Sequence, residues 1–379
     1  MVLLAAAGAG LAFWKFFWPR WKAQPATASG GELQVHVLDV GPGNGDAILI
    51  TSPTGQSVLI DCGDAGKEKV VMEALKRYQV QQLDYFIATH PHPDHLGAAA
   101  AVFKGTKVLN VIDNGLQPVG MPTPTPTPPP GKKKVQATPT PTPVARNAKK
   151  LKGPAQFYLD YQEAIKLSGA RYQTAQVGQK LELGGGARLT ILGPSGPYFT
   201  KEQLKAGGNE PNANSIVARL DYGDFSMLLP GDAEQQTEER LLGKDLELNA
   251  SILKVAHHGS KYATSEAFIN RVHPEVAIIS EGEWNRYGHP AQSVLDRLKA
   301  ANVKVYRTDL QGEITIKTNG KTRGEKTYEI KTAREAKGDL WTGRTPQKDD
   351  SSHSGFIAYG DFGPPPKVKP EKPSTEKSR

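Results

Sequence analysis

The sequence predicts an α/β fold, and three observations carry the prediction. Short apolar runs alternate with amphipathic stretches over residues 33–317, and the first seven elements read βββαβαβ. The runs are of strand length and rich in Val, Ile and Leu. Polar side chains that can bind metals follow several runs at once, where α/β sheets place their chemistry.

The elements follow from local pattern. Leu33, Val35 and Val37 alternate with Gln34 and His36, a half-buried strand. Strands at 47–51 and 58–60 are joined by the Pro53-Thr54-Gly55 turn. Residues 67–78 form an amphipathic helix with Val70, Val71, Ala74 and Leu75 inward. A strand at 83–88, a helix of small residues at 96–103 and a strand at 107–112 follow. Beyond residue 153 the expected order is a helix at 154–167, strands near 180–183, 187–192, 214–221 and 225–229, and a helix at 233–241. A strand at 251–256, a helix at 265–271, a strand at 276–280, a helix at 292–300 and strands at 303–307 and 313–317 complete it.

The 379 residues exceed one average domain, but Pro (29) and Gly (39) are abundant, so part of the chain is expected outside the packed body. Residues 1–22 read as an apolar membrane anchor or signal-like segment, because 2–18 are apolar except for Lys15 and precede Arg20 and Lys22. Residues 23–31 are a short linker, 32–330 the catalytic-type domain, and 331–379 a charged, Pro-rich tail expected to be disordered. Thr-Pro alternation marks residues 117–152 as a disordered insertion. Its seven cations, with no acid, account for all but one unit of the +8 net charge. That patch suits a phosphate-rich partner, but a solvated, disordered loop is the preferred reading. The single cysteine, Cys62, excludes an internal disulfide and reads as a small core residue.

The densest chemistry lies in Thr89-His90-Pro91-His92-Pro93-Asp94-His95, which follows the strand at 83–88. Imidazole and carboxylate are ligands for a borderline divalent ion such as Zn²⁺. In an extended segment His90 and His92 point to one side, and a turn at Asp94-His95 sends the next pair elsewhere. One loop can then serve two metals. Asp61, Asp232, and His257 with His258 each follow another apolar run, and His289 sits in Tyr287-Gly288-His289-Pro290. Separately these are ordinary turn or cap residues; together with the His-rich loop they describe a site at one edge of two sheets.

In this order the residues resemble the metallo-β-lactamase-fold pattern. The segments Asp39-Val40-Gly41, Gly45-Asp46-Ala47, Leu253 to Lys261 and Asn285 to Pro290 resemble the hydrolase domain of ComEC-type DNA-uptake proteins and their stand-alone relatives. The resemblance covers about residues 33–317 without the insertion. It implies an αββα sandwich, two mixed sheets flanked by helices, holding two divalent ions, Zn²⁺ or Mn²⁺. His90 and His92 would hold the first, Asp94, His95 and a strand-end histidine the second, and Asp232 both. His257 is the favoured strand-end ligand, with His258 as the alternative; Asp61 would orient the ligands. Asp94 and His289 carry the chemistry with Asp61, His289 as proton donor or phosphate anchor; Ser260 and Lys261 could contact an anionic substrate. Two features depart from the family. Asn212-Ala213-Asn214-Ser215 stands where most members carry a further histidine, so the first ion should be weakly held, with Asn214 a poor substitute. Pro42-Gly43-Asn44 replaces a shorter, Gln-containing turn.

The leading expectation is a metal-dependent hydrolase of phosphodiesters, DNA among them, attacking with metal-activated hydroxide. The alternatives are a hydrolase of cell-envelope or small-molecule esters and lactams, and a non-catalytic, membrane-tethered module that binds polyanions. The expected partners are nucleic acid or another phosphate polymer, and the membrane through residues 1–22. The resemblance favours an extracytoplasmic location; the cations after the apolar run favour the cytoplasmic side.

Overall fold

The computed structural model describes residues 31–346, except 42, 44, 119–120, 122–155, 205–207, 285–286 and 322–326. The segment 1–22, nearly all of the linker, most of the 117–152 insertion and the tail beyond 346 lie outside the described residues. Among the described residues no helix is long and apolar enough to cross a membrane.

The first eight-stranded sheet collects β1 (Leu33–Val37), β2 (Ile48–Thr51), β3 (Ser57–Ile60), β4 (Gln82–Ala88), β5 (Lys107–Asp113), β6 (Arg171–Thr174), β14 (Ile314–Thr318) and β15 (Glu329–Thr332). Its order is β15-β14-β1-β2-β3-β4-β5-β6, antiparallel as far as β3 and parallel from β3 to β6. The second, seven-stranded sheet runs β13 (Lys304–Arg307), β12 (Val276–Ile279), β11 (Ile252–Lys254), β10 (Phe225–Leu229), β9 (Val217–Tyr222), β8 (Arg188–Gly193), β7 (Lys180–Glu182). It is parallel from β13 to β10 and antiparallel from β10 to β7.

Strand periodicity explains the layering. Val58 and Ile60 of β3 face the same way as Val35 and Ile50, and meet Leu189, Ile191, Met227 and Ile278 of the other sheet in the central core. Leu59, one residue out of phase, faces outward with Leu49 and Phe86 against Val71 and Leu75 of α1 (Glu68–Arg77) and Val102 of α3 (Ala99–Gly105). Tyr161 and Ile165 of α4 (Gln156–Ser168) pack on the same face. Across the sandwich, Leu228 and Leu253 are covered by α6 (Gln235–Leu242) and α7 (Glu266–Val272), and Ile279 and Val305 by α8 (Gln292–Ala300). The result is αββα: strands buried on both faces read as continuous apolar runs because helices cover them.

Several boundaries differ from the sequence reading. β9 begins at Val217, because residues 210–213 form the short helix α5 (Glu210–Ala213) ahead of it. β11 ends at Lys254, and Ala256–Gly259 is a tight turn with His257 and His258 in the left-handed region. β6 and β15, both half exposed, had no apolar signal. The tail does not begin at 331. β15 pairs with β14, and the chain to 346 is pinned by Arg334 and Arg344, which donate to Asp309, Arg344 through its Nε and NH2 to the carboxylate and Arg334 to the main-chain oxygen.

Candidate metal centre

The carboxyl ends of β3, β4, β10 and β11 open onto one edge of the sandwich, and each delivers part of the site. Asp61 follows β3 in a left-handed conformation (φ 56°), which turns its carboxylate toward the loop after β4. There its Oδ1 accepts the Thr89 main-chain N–H at 2.8 Å, and its Oδ2 accepts the Thr89 hydroxyl at 2.7 Å. The same Oδ2 lies 2.7 Å from His95 Nδ1. Cys62, buried next door, donates its main-chain N–H to His95 O at 2.8 Å. The His-rich loop then starts the short helix α2 (Pro93–Leu96).

Asp232 follows β10 through Gly231, whose φ of 56° suits glycine and where a Cβ would sit 3.0 Å from Thr89 Cβ. The missing side chain brings the loop of one sheet against that of the other. As a result Asp232 Oδ2 sits amid imidazoles: 3.3 Å from His95 Nε2, 3.5 Å from His258 Nε2, and 3.9 Å from both His90 Nε2 and His257 Nε2. His90 Nε2 and His92 Nδ1 are 3.0 Å apart, and His258 Nε2 is 3.6 Å from Asp94 Oδ2. Among the described residues four overlapping donor groups emerge. The two donor sets with a pair of imidazoles are His90, His95 and Asp232, and Asp94, His95 and His258; the other two are Asp46, Asp232 and His258, and Asp46, Asp61 and His95.

His258, not the expected His257, joins Asp94 and His95. Two successive left-handed residues abolish the alternation of an extended strand, so the imidazoles diverge. His258 Nδ1 donates to Ser280 O at 2.9 Å, which frees Nε2 for the centre. His257 faces Asn212, with Asn212 Nδ2 3.2 Å from its Nε2, and has Glu234 Oε1 3.9 Å from its Nδ1. Asn214 is turned away: its amide bonds Phe199 and Glu210, so Asn212 is the asparagine that borders the site.

Other buried charges support the ligands. Lys254 Nζ lies 2.6 Å from Asp46 Oδ2, both side chains being buried, and Asp46 Oδ1 is 3.5 Å from His258 Nδ1. Glu281 has one oxygen on the Gly282 N–H at 2.8 Å and the other 3.9 Å from His289 Nδ1. Of these, Lys254 had a legible signal, a cation inside the apolar run Ile252–Val255. Glu234 and Glu281 had none.

The electrostatics follow burial and this charge pattern. Burial pushes Glu234 up to about 7, and burial reinforced by Asp94 pushes Asp64 up to about 7. Burial also depresses His90, His92 and His289, and takes His257 down to about 4. Burial would depress His95 and His258 as well, but Asp232, with Asp61 beside His95 and Asp46 beside His258, overrides it. His95 rises well above 6.5, and His258 to about 9. The carboxylates thus draw positive charge to the atoms a cation would contact.

The donor set fits a divalent metal. His95 Nε2, His258 Nε2 and Asp232 Oδ1 are buried without a well-formed hydrogen bond, a costly arrangement unless something binds them. Nitrogen and carboxylate oxygen converging on one point are what Zn²⁺ and Mn²⁺ take.

Fold and centre together define a metallo-β-lactamase-fold, metal-dependent hydrolase domain, and residues 40–196 match the family model described as the metallo-beta-lactamase superfamily. The chain is also similar to ComEC-type proteins. It is 28% identical over 307 residues to ComE operon protein 3 of Bacillus subtilis, covering 76% of this chain and 33% of that protein. It is 27% identical over 293 residues to competence protein ComA of Neisseria gonorrhoeae, covering 77% and 33%. Recombination protein 2 of Haemophilus influenzae is 42% identical over 108 residues, 28% of this chain and 13% of that protein. The chain thus spans about a third of the length of the first two relatives.

Proposed function

We propose that this domain hydrolyses phosphodiesters, with nucleic acid as the substrate class. The observation that carries the reading is Asp232 Oδ2, set within 3.9 Å of four imidazole nitrogens from two sheets. His90 and Asp232, with His92 3.0 Å from His90, would hold one cation; Asp94, His95 and His258, with the same Asp232, a second. Bound there, divalent ions activate water and neutralise charge on a phosphoryl oxygen. The chain's own part is orientation. Asp61 fixes the His95 ring, the Ser280 carbonyl fixes His258, and His289 stands beside them to meet the substrate or leaving group.

Two further facts support nucleic acid over other phosphodiesters. Two of the named relatives are a competence protein and a recombination protein, and residues 117–152 add seven cations without an acid, suited to a polyanion. The test is hydrolysis of bis-p-nitrophenyl phosphate, single-stranded DNA and duplex DNA with Mn²⁺ or Zn²⁺, with nitrocefin alongside. Phosphodiester turnover abolished by Asp94→Ala is the expected result. Nitrocefin turnover without phosphodiester turnover overturns the reading.

A further inference from the structure

Two exposed aromatic side chains, Tyr262 (37%) and Tyr287 (45%), stand on the two loops that frame the metal centre. The loops are one unit. Ala291 N donates to Gly259 O at 2.8 Å, and a Cβ on Gly259 would lie 2.6 Å from Pro290 Cβ. An exposed tyrosine is ordinary by itself. The order of the rings is not. Tyr287 stacks on His289 with centroids 5.7 Å apart and planes 26° apart, and His289 stacks on His258 at 6.4 Å and 23°. Three near-parallel rings thus step from solvent to the His258 imidazole of the candidate centre. On the companion loop, Lys261 Nζ lies 5.1 Å from the Tyr262 ring centroid, a cation beside the same opening.

We propose that Tyr287 is a stacking platform for an unpaired nucleobase adjacent to the scissile phosphodiester, and that Lys261 meets a neighbouring phosphate. The proposal rests on the phosphodiester reading and deepens it. A base in a duplex has both faces covered by its neighbours, so a platform at the mouth selects substrate that is single-stranded at the point of cleavage. A flat base laid on Tyr287 continues the ring series outward and leaves its own phosphate facing the centre.

The test is binding, in the full chain carrying Asp94→Ala, of a dye-labelled hexathymidylate and of a matched strand whose sugars lack bases, read by fluorescence anisotropy. Tyr287→Ala is expected to weaken the thymidylate strand by about fivefold to a hundredfold, the range for one stacked base, and to leave the abasic strand unchanged. Tyr287→Phe keeps the platform and should restore affinity. Lys261→Ala should weaken both strands alike and reduce the slope of log affinity against log salt by about one. Equal affinity of Tyr287→Ala and its parent for the thymidylate strand overturns the platform. Turnover of bis-p-nitrophenyl phosphate is measured in parallel on the protein with Asp94 intact. Turnover without Tyr287-dependent binding removes the platform and keeps the phosphodiesterase; Tyr287-dependent binding without turnover does the reverse.

Discussion

Asp61 holds His95 by its outer nitrogen: Oδ2 lies 2.7 Å from Nδ1, and the ring's Nε2 is thereby presented to Asp232 at 3.3 Å. The contact sets both the tautomer and the rotation of a ligand that belongs to both donor sets. Asp61→Asn preserves shape but can offer only one oxygen where three donors meet a carboxylate, two of them at Oδ2. Metal affinity is expected to fall about tenfold to a hundredfold, the usual effect of losing an outer partner, with the fold intact. Competition against a chelating dye reads this directly; unchanged affinity would remove Asp61 from the centre.

The two adjacent histidines should behave differently. His258→Ala removes a ring facing Asp94 and Asp232, and should lose one equivalent of tightly bound metal. His257→Ala, which leaves that pair untouched, should keep the stoichiometry. Elemental analysis of the two purified variants distinguishes them, and the opposite pattern would return the ligand role to His257.

Lys254 and Asp46 form a buried ion pair at 2.6 Å. Lys254→Met strands the Asp46 carboxylate in the core, and breaking such a pair costs about 3–5 kcal/mol. Adding Asp46→Leu removes the stranded charge and should recover most of that loss. Urea unfolding of the single and double variants checks both expectations.

At the other end of the first sheet, burial would raise Glu313, but hydrogen bonds from His36 and Tyr78 and the charge of Arg77 hold it below its ordinary 4.5. With the folded value below the unfolded one, the unfolded chain binds more protons in that window, so stability rises with pH there. The contribution is complete above 4.5 and is lost as pH falls through the folded value. Glu313→Gln should therefore flatten the acid limb of a melting-temperature profile measured below pH 5. An unchanged limb would assign acid lability to other carboxylates.

Legibility in the sequence followed the physics of each feature. Strands buried on both faces announce themselves as apolar runs, so β2 to β5 and β10 to β12 were readable, and so were the polar residues that follow them, Asp61, His90 and Asp232. The choice between His257 and His258 was not, because two left-handed residues reverse the expected facing and no propensity signals that. Residues 333–346 have the composition of a tail. They are nevertheless held by Arg344 on Asp309 and by the Arg344 N–H on Pro290 O at 2.9 Å, partners far away in sequence that composition does not register. Glu281 and Glu234 were hidden for the same reason: each lies at the site only because distant strands bring it there.

The division of the ligands between the two sheets also fixes when the centre can come into being on the ribosome. The His90–His95 loop emerges early with the first sheet, whereas Asp232 and His258 belong to the second and are made much later. Until β10 and β11 dock, the nascent chain offers the loop's imidazoles with Asp46, Asp61 and Asp94, and lacks both Asp232 and His258. Capture of a metal by the complete donor set would therefore be a late event in the life of each new molecule. It can serve as a readout that the two halves of the sandwich have met.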